Sequence, residues 1–329
     1  MTDTPLRILV IETLYLGDLI HTLPLIQALR SRYPQAALDV LVRRPHVELM
    51  QQLPGLRQVL AMDPKQHRGV GGLLSLCGML RAEHYDLVLN PGASDRATIL
   101  TALSGGRQRI GRLNRQQSKR LWPLLHDQVI DYPWAAEPMY WQKLNAFRPA
   151  LKLDATPRFG LDCSHIELPQ LLGEGPIIHL SPCASEDLRC IPPATMVELL
   201  TRLHASFPRH RLMLSCGPAE RERNRLEIIR QALPDLPVQY LPGNLSLVQL
   251  AALIQRSALH IGPDSGPLHL AVALDRPALA CFLFKNASAE WIPVGVQYRT
   301  HGVHQKHLGG LYGLSARQLV ESAAELLRA

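Results

Sequence analysis

The chain reads as an α/β protein of two domains, each a parallel sheet covered by helices. Two observations predict this. Strand-like runs alternate with helical stretches along most of the chain, and those runs are almost continuously apolar, as strands buried on both faces are. In addition, 329 residues is about twice the roughly 150 residues of a common domain.

The elements follow in order. RILVIE (Arg7 to Glu12) is a short β-branched run. A loop leads into Asp18 to Ser31, where Leu19, Ile20, Leu23, Ile26 and Leu29 keep helical spacing. Pro24 falls within that stretch and predicts a kink or an irregular start. ALDVLV (Ala37 to Val42), Gln58 to Ala61 and DLVLN (Asp86 to Asn90) read as further strands. In the second half, PIIHLSP (Pro176 to Pro182) is a strand and Ile191-Pro192-Pro193 opens a helix, proline being tolerated in a first turn. Met196, Val197, Leu199, Leu200 and Leu203 supply that helix's buried stripe. RLMLSCG (Arg211 to Gly217) is a strand followed by an acid- and arginine-rich helix. Leu247 to Arg256 reads as a helix, ALHIG (Ala258 to Gly262) as a strand, Gly266 to Leu274 as a helix and PALACFLF (Pro277 to Phe284) as a strand. Ser315 to Leu327 is amphipathic. Weak periodicity with Pro and Gly from Ala150 to Gly175 marks the linker. The domains are therefore expected at 1–160 and 175–314, with a closing helix at 315–329.

Composition excludes several classes. With 47% hydrophobic and 19% charged residues, the chain folds rather than staying disordered. No apolar run reaches the roughly 18 residues that span a bilayer. The first residues run straight into a strand with no signal peptide ahead of them, so the expectation is a cytoplasmic protein. A net charge of +7 suits an anionic ligand or the cytoplasmic face of a membrane. Only 5% of residues are aromatic and none interleave with basic runs, so no nucleic-acid partner is expected. The six cysteines (Cys77, Cys163, Cys183, Cys190, Cys216, Cys281) form no CxxC pair, which argues against a zinc site or a disulfide framework. HQKH (His304 to His307) is too weak a pattern for a metal site, and no catalytic metal is expected.

Four segments can carry chemistry. The loop Thr13-Leu14-Tyr15-Leu16-Gly17-Asp18 follows the first strand, where α/β proteins bind ligands. Asp18 reads either as a helix cap or as a general base for a hydroxyl nucleophile. No GxGxxG occurs there, so a dinucleotide fingerprint is absent. Gly262-Pro263-Asp264-Ser265-Gly266-Pro267-Leu268-His269 joins a strand to a helix. It reads as a diphosphate site at a helix start or as a turn capped by Asp264 or Ser265. His269 reads as a core histidine. Ser181 to Arg189 also follows a strand, with Ser185 and Arg189 able to bind phosphate oxygens or simply to line a solvated loop. Finally, no acid occurs between Arg96 and Asp127, whereas Arg107, Arg109, Arg112, Arg115, Lys119 and Arg120 do. Such a run is a solvated face or a site for a polyanion.

Taken together these segments resemble glycosyltransferase family 9, the lipopolysaccharide heptosyltransferases. RILVIETLYLGDLIHTLPLIQALRSRYP resembles the family's N-terminal signature, and GPDSGPLHLAVALDRP its second, the donor-diphosphate turn. SPCASEDLRCIPPATMVELL, GPAERE and LPGNLSLVQLAALI fall in family order. The resemblance implies a GT-B fold, two Rossmann-like domains with parallel sheets facing across a cleft and a C-terminal helix packing back on the first. The N-terminal domain would bind the acceptor, a phosphorylated lipid A–core saccharide, and the C-terminal one an ADP-sugar. It implies inverting transfer of heptose from ADP-heptose to the lipopolysaccharide inner core, without a metal or other cofactor and with peripheral contact at the inner membrane. Asp18 would be the base, beside Gly17. Ser185, Arg189, Glu220, Asp264, Ser265, Gly266 and Pro267 would hold the donor. Arg107, Arg109, Arg112, Lys119 and Arg120 are assigned to the acceptor's acidic side by their charge. Arg189 stands where the family usually has lysine, Ile191 where it has an aromatic, and Lys285-Asn286-Ala287-Ser288 where it tends to a Gly-Pro-Thr-like turn. The alternatives are another donor or acceptor within the family, a binding paralogue without catalysis, or a sugar-nucleotide epimerase.

Overall fold

Arg7–Glu12 form β1, the strand on which the first unit is built, and every residue after Arg7 in it is buried. The computed structural model describes residues 5–92, 94–112, 122–132, 137–153, 156–168, 173–283, 288–292, 297–302 and 310–328. The chain divides into two units, Met1–Leu161 and Asp162–Ala329.

In the first unit β1 is followed by α1 (Leu16–Ile20), α2 (Leu23–Arg32), β2 (Ala37–Arg43), α3 (Val47–Met50), β3 (Gln58–Met62) and α4 (Gly69–Ala82). Then come β4 (Leu87–Asn90), α5 (Asp95–Leu103), β5 (Gln108–Arg112), β6 (Gln128–Ile130) and α6 (Met139–Leu151). The sheet order is β3-β2-β1-β4-β5-β6, and all its pairings are parallel. This is the doubly wound arrangement, which collects ligand loops at the carboxyl ends of the strands. The single helix expected over Asp18 to Ser31 is two. α1 ends at His21, and Pro24 takes the second position of α2, where a missing N–H costs nothing. The basic run begins as strand β5, which the sequence reading did not assign. Its remainder, 113–120, lies outside the described residues.

The second unit contains β7 (Ile177–Leu180), α7 (Pro193–Ser206), β8 (Arg211–Cys216), α8 (Glu220–Ala232), β9 (Val238–Pro242) and α9 (Leu247–Gln255). It continues with β10 (Ser257–Pro263), α10 (Gly266–Ala273), β11 (Ala278–Phe282), α11 (Ser288–Trp291), β12 (Tyr298–Gly302) and α12 (Ala316–Leu326). Its order is β12-β11-β10-β7-β8-β9, again parallel throughout. On one face Ile178, Leu180, Leu212, Leu214, Leu259 and Ile261 form a core with α7 and α8. Leu319, Ala323 and Leu326 of α12 belong to that same core. This helix is the amphipathic segment expected over Ser315 to Leu327. Its stripe at i, i+4 and i+7 closes the second unit's own sheet beside α7.

The other face of this sheet carries a buried polar cluster beside its apolar residues. His179 Nδ1 lies 2.9 Å from His260 Nδ1, and His179 Nε2 lies 2.8 Å from Ser215 Oγ. Gly262 is required beside them, because a Cβ there would come within 2.8 Å of Ser181 Oγ and 2.9 Å of His260 Nε2. Burial lowers the pKa of His179 from 6.5 to about 3. Between those values the unfolded chain binds a proton that the folded one refuses, so stability falls as pH drops from 6.5 toward 3. The slope from this group is about 1.4 kcal/mol per pH unit. His179→Gln is expected to flatten the unit's stability-versus-pH curve by that slope in urea titrations. An unchanged slope would refute the assignment.

Candidate functional site

In the first unit the site is built from the end of β1. Glu12 is 1% exposed and its Oε2 accepts a hydrogen bond from Lys143 Nζ of α6 at 2.8 Å. The same ammonium donates to the Asp18 carbonyl at 2.7 Å and to Thr22 Oγ1 at 2.9 Å. The Leu14 amide donates to Glu12 Oε1 at 3.2 Å. Gly92 is demanded by this cluster, since a Cβ would lie 2.6 Å from Glu12 Oε1. A buried ion pair thus fixes the backbone on which Asp18 stands. Tyr15 is the N-cap of α1, so Asp18 is its third residue and not its cap. Its side chain is half-buried at the carboxyl end of the sheet. Gly17 precedes it in the same turn, buried.

Of the basic run, Arg107, Arg109 and Arg112 are among the described residues. Register puts Arg109 opposite Val88 of β4, which pairs with Leu9 of β1, in the amino-terminal half of the sheet. Arg109 forks onto Asp127 at 2.7 and 2.9 Å, and Arg107 pairs with Asp86 at 3.2 Å. Arg112 reaches the carboxyl end but is buried. Its Nη2 donates to Gln142 Oε1 at 2.9 Å and its guanidinium lies 5.8 Å over the Tyr132 ring. Each of these three cations has a partner. Lys119 and Arg120 lie outside the described residues, as do Arg115, Lys285 and His304 to His307.

In the second unit the structure brings three of the expected residues together after β7 and β10. Arg189 Nη2 donates to Ser185 Oγ at 2.6 Å, and Nη1 donates to Asp264 Oδ2 at 3.1 Å. Ser265 is the N-cap of α10, yet its hydroxyl makes no cap bond and instead donates to the Pro263 carbonyl at 3.3 Å. Gly266 and Pro267 open the helix, Pro267 supplying a fixed φ and no N–H. His269 is a buried core histidine with partners, as its sequence context predicts. Its Nε2 lies 3.4 Å from Asp264 Oδ1 and its ring 5.4 Å from that of Trp291. Burial pushes the Asp264 pKa up, but His269 and Arg189 outweigh it and hold the carboxyl below its ordinary value. Glu220 begins α8, exposed. Two residues on, Glu222 turns back and accepts the Gly217 amide at 2.7 Å. Arg221 clamps the loop that carries Ser185, donating to the Ala184 carbonyl at 2.7 Å and to Asp187 Oδ1 at 2.8 Å.

Asp18 in the first unit and Ser185, Arg189 and Asp264 in the second thus lie at strand carboxyl ends, the layout of α/β enzymes that bind nucleotide ligands. The family model for glycosyltransferase family 9 (heptosyltransferase) matches residues 73–309, and the chain belongs to that family. It is a glycosyltransferase with the GT-B fold. It is 24% identical over 283 residues to lipopolysaccharide heptosyltransferase 3 of Escherichia coli, covering 81% of this chain and 80% of that one. Among solved structures it resembles a family 9 glycosyl transferase from Veillonella parvula (TM-score 0.81, 18% identity, 99% of each chain). It also resembles E. coli heptosyltransferase WaaC with ADP (TM-score 0.77, 19% identity, 98% of this chain and all of that one).

Proposed function

We propose that this protein transfers heptose from ADP-heptose to the lipopolysaccharide inner core, inverting the anomeric carbon and using no metal in catalysis. The observation that carries this reading is the family match, with a relative named lipopolysaccharide heptosyltransferase aligned along four-fifths of both chains. Asp18 accepts the proton of the acceptor hydroxyl as its oxygen attacks the anomeric carbon. The C–O bond to the diphosphate breaks on the opposite face and ADP departs. Arg189 and the start of α10 face the charge that develops on the leaving phosphate, the part a divalent cation plays elsewhere. Asp264 stays ionised and holds Arg189 in place.

The acceptor is a phosphorylated lipid A–core saccharide at the cytoplasmic face of the inner membrane. No described helix is long and apolar enough to cross a membrane, and peripheral contact is the mode proposed. The test is ADP release from ADP-heptose with a deacylated core acceptor, in EDTA. Release that requires the acceptor and survives EDTA is expected. ADP binding without release across core acceptors would favour a binding paralogue. Donor conversion without acceptor would favour an epimerase. Turnover of UDP- or GDP-sugars alone would replace the donor.

A further inference from the structure

Three thiols that look scattered in the sequence converge beneath the loop that carries Ser185 and Arg189. Cys183 follows β7 and Cys190 closes the short 3-10 turn at Asp187–Arg189. The Ile191 amide donates to the Pro182 carbonyl at 2.9 Å, so Cys183 and Cys190 sit side by side just inside the neck of a closed loop. Both are buried and pack together with Ala184, and Cys216 of β8 lies against them. All three are free. The Ala184 amide donates to Cys190 Sγ at 3.2 Å, and that sulfur also lies 3.6 Å from the Ala184 carbonyl and 3.5 Å from that of Glu186.

We propose that Cys183 and Cys190 are a reversible oxidation site, closing to a disulfide with a peroxide and thereby reshaping the loop from Ala184 to Arg189. The polarity of the pair is set by its surroundings. The neighbouring Cys183 lowers the pKa of Cys190; burial opposes this, and the Ala184 amide with Arg225 and Arg221 adds to the lowering. Cys190 is therefore the attacking sulfur. Its thiolate takes one peroxide oxygen as the O–O bond breaks, and the other oxygen leaves as hydroxide and is protonated to water. Cys183 sulfur then attacks the Cys190 sulfenic acid, the S–O bond breaks and a second water departs. The two sulfurs lose two electrons and the peroxide gains them. The bond also withdraws Cys190 Sγ from its contacts with Ala184 and Glu186, so the loop that positions Ser185 and Arg189 must shift.

The oxidation stands by itself, whereas its effect on ligand binding rests on the donor reading above. The full chain is treated with hydrogen peroxide, digested without reduction and mapped by mass spectrometry. A Cys183–Cys190 linked peptide that disappears with dithiothreitol is expected. It should be retained in Cys216→Ser and lost in Cys190→Ser. Both thiols remaining free, linkage to Cys216 instead, or irreversible sulfonic acid would overturn the proposal. In parallel, oxidation is expected to weaken ADP affinity about tenfold, with recovery on reduction. Unchanged affinity would remove the effect on the loop. If the reduced protein fails to bind ADP, the donor reading falls, and the digest still decides the thiol pair.

Discussion

Asp18→Asn is expected to lower the transfer rate by about 10²- to 10⁴-fold, the range for loss of a general base. ADP affinity should stay within about twofold, because the donor residues belong to the second unit. Asparagine keeps the shape and hydrogen-bonding capacity of the side chain but cannot accept the hydroxyl proton. The competing reading is electrostatic. A carboxylate in the first turn of α1 favours the helix dipole, and removing it costs about 0.3–1 kcal/mol of stability with no effect on chemistry. The two readings separate cleanly. A base predicts a collapse in kcat with little change in unfolding midpoint, whereas a helix-start charge predicts the reverse. A variant that keeps more than about a tenth of the wild-type rate would remove Asp18 from the base role.

How much of this could be read beforehand follows from which forces act locally. The strands at Arg7–Glu12 and Ile177–Leu180 are legible because parallel strands buried on both faces must be apolar throughout. β5 is not, because its charges are neutralised from afar. Arg109 finds Asp127 eighteen residues on, and so a strand looks like a solvated basic face. The same blindness applies to the sites. Asp18, in the first turn of α1, and Ser185, Arg189 and Asp264 all come soon after strands, and position alone singles them out. Glu12 and Lys143 are separated by 131 residues, and nothing local in either segment announces the other. The amphipathic stripe of α12 is visible in its spacing, but a stripe says only that something covers it. Leu319, Ala323 and Leu326 find that cover in their own unit. Cys183 and Cys190 are a milder case, seven residues apart but joined only because the loop between them closes on itself.

Lys143→Met should be the most destabilising change in the first unit. It removes the cation from a carboxylate that has almost no access to water: the side chains of Lys143 and Glu12 are 2% and 1% exposed. Breaking such a pair costs about 3–5 kcal/mol, chiefly because the remaining charge is stranded. At roughly 2–4 °C per kcal/mol for a unit of this size, the first unit's thermal transition should fall by about 10 °C. The second unit has its own core and should be unaffected, so the two transitions would separate in calorimetry. A stranded charge also predicts a rescue. Adding Glu12→Gln to Lys143→Met neutralises the orphan, and the double variant should be more stable than Lys143→Met alone. Were the pair effectively solvated, Lys143→Met would cost about 1 kcal/mol or less and the second change would bring no recovery. Rescue of stability should not restore activity. Lys143 also holds the Asp18 carbonyl and Thr22 Oγ1, and neither methionine nor glutamine replaces those bonds. A double variant that folds well but transfers slowly would show that this ion pair sets the position of the base as well as the stability of the sheet beneath it.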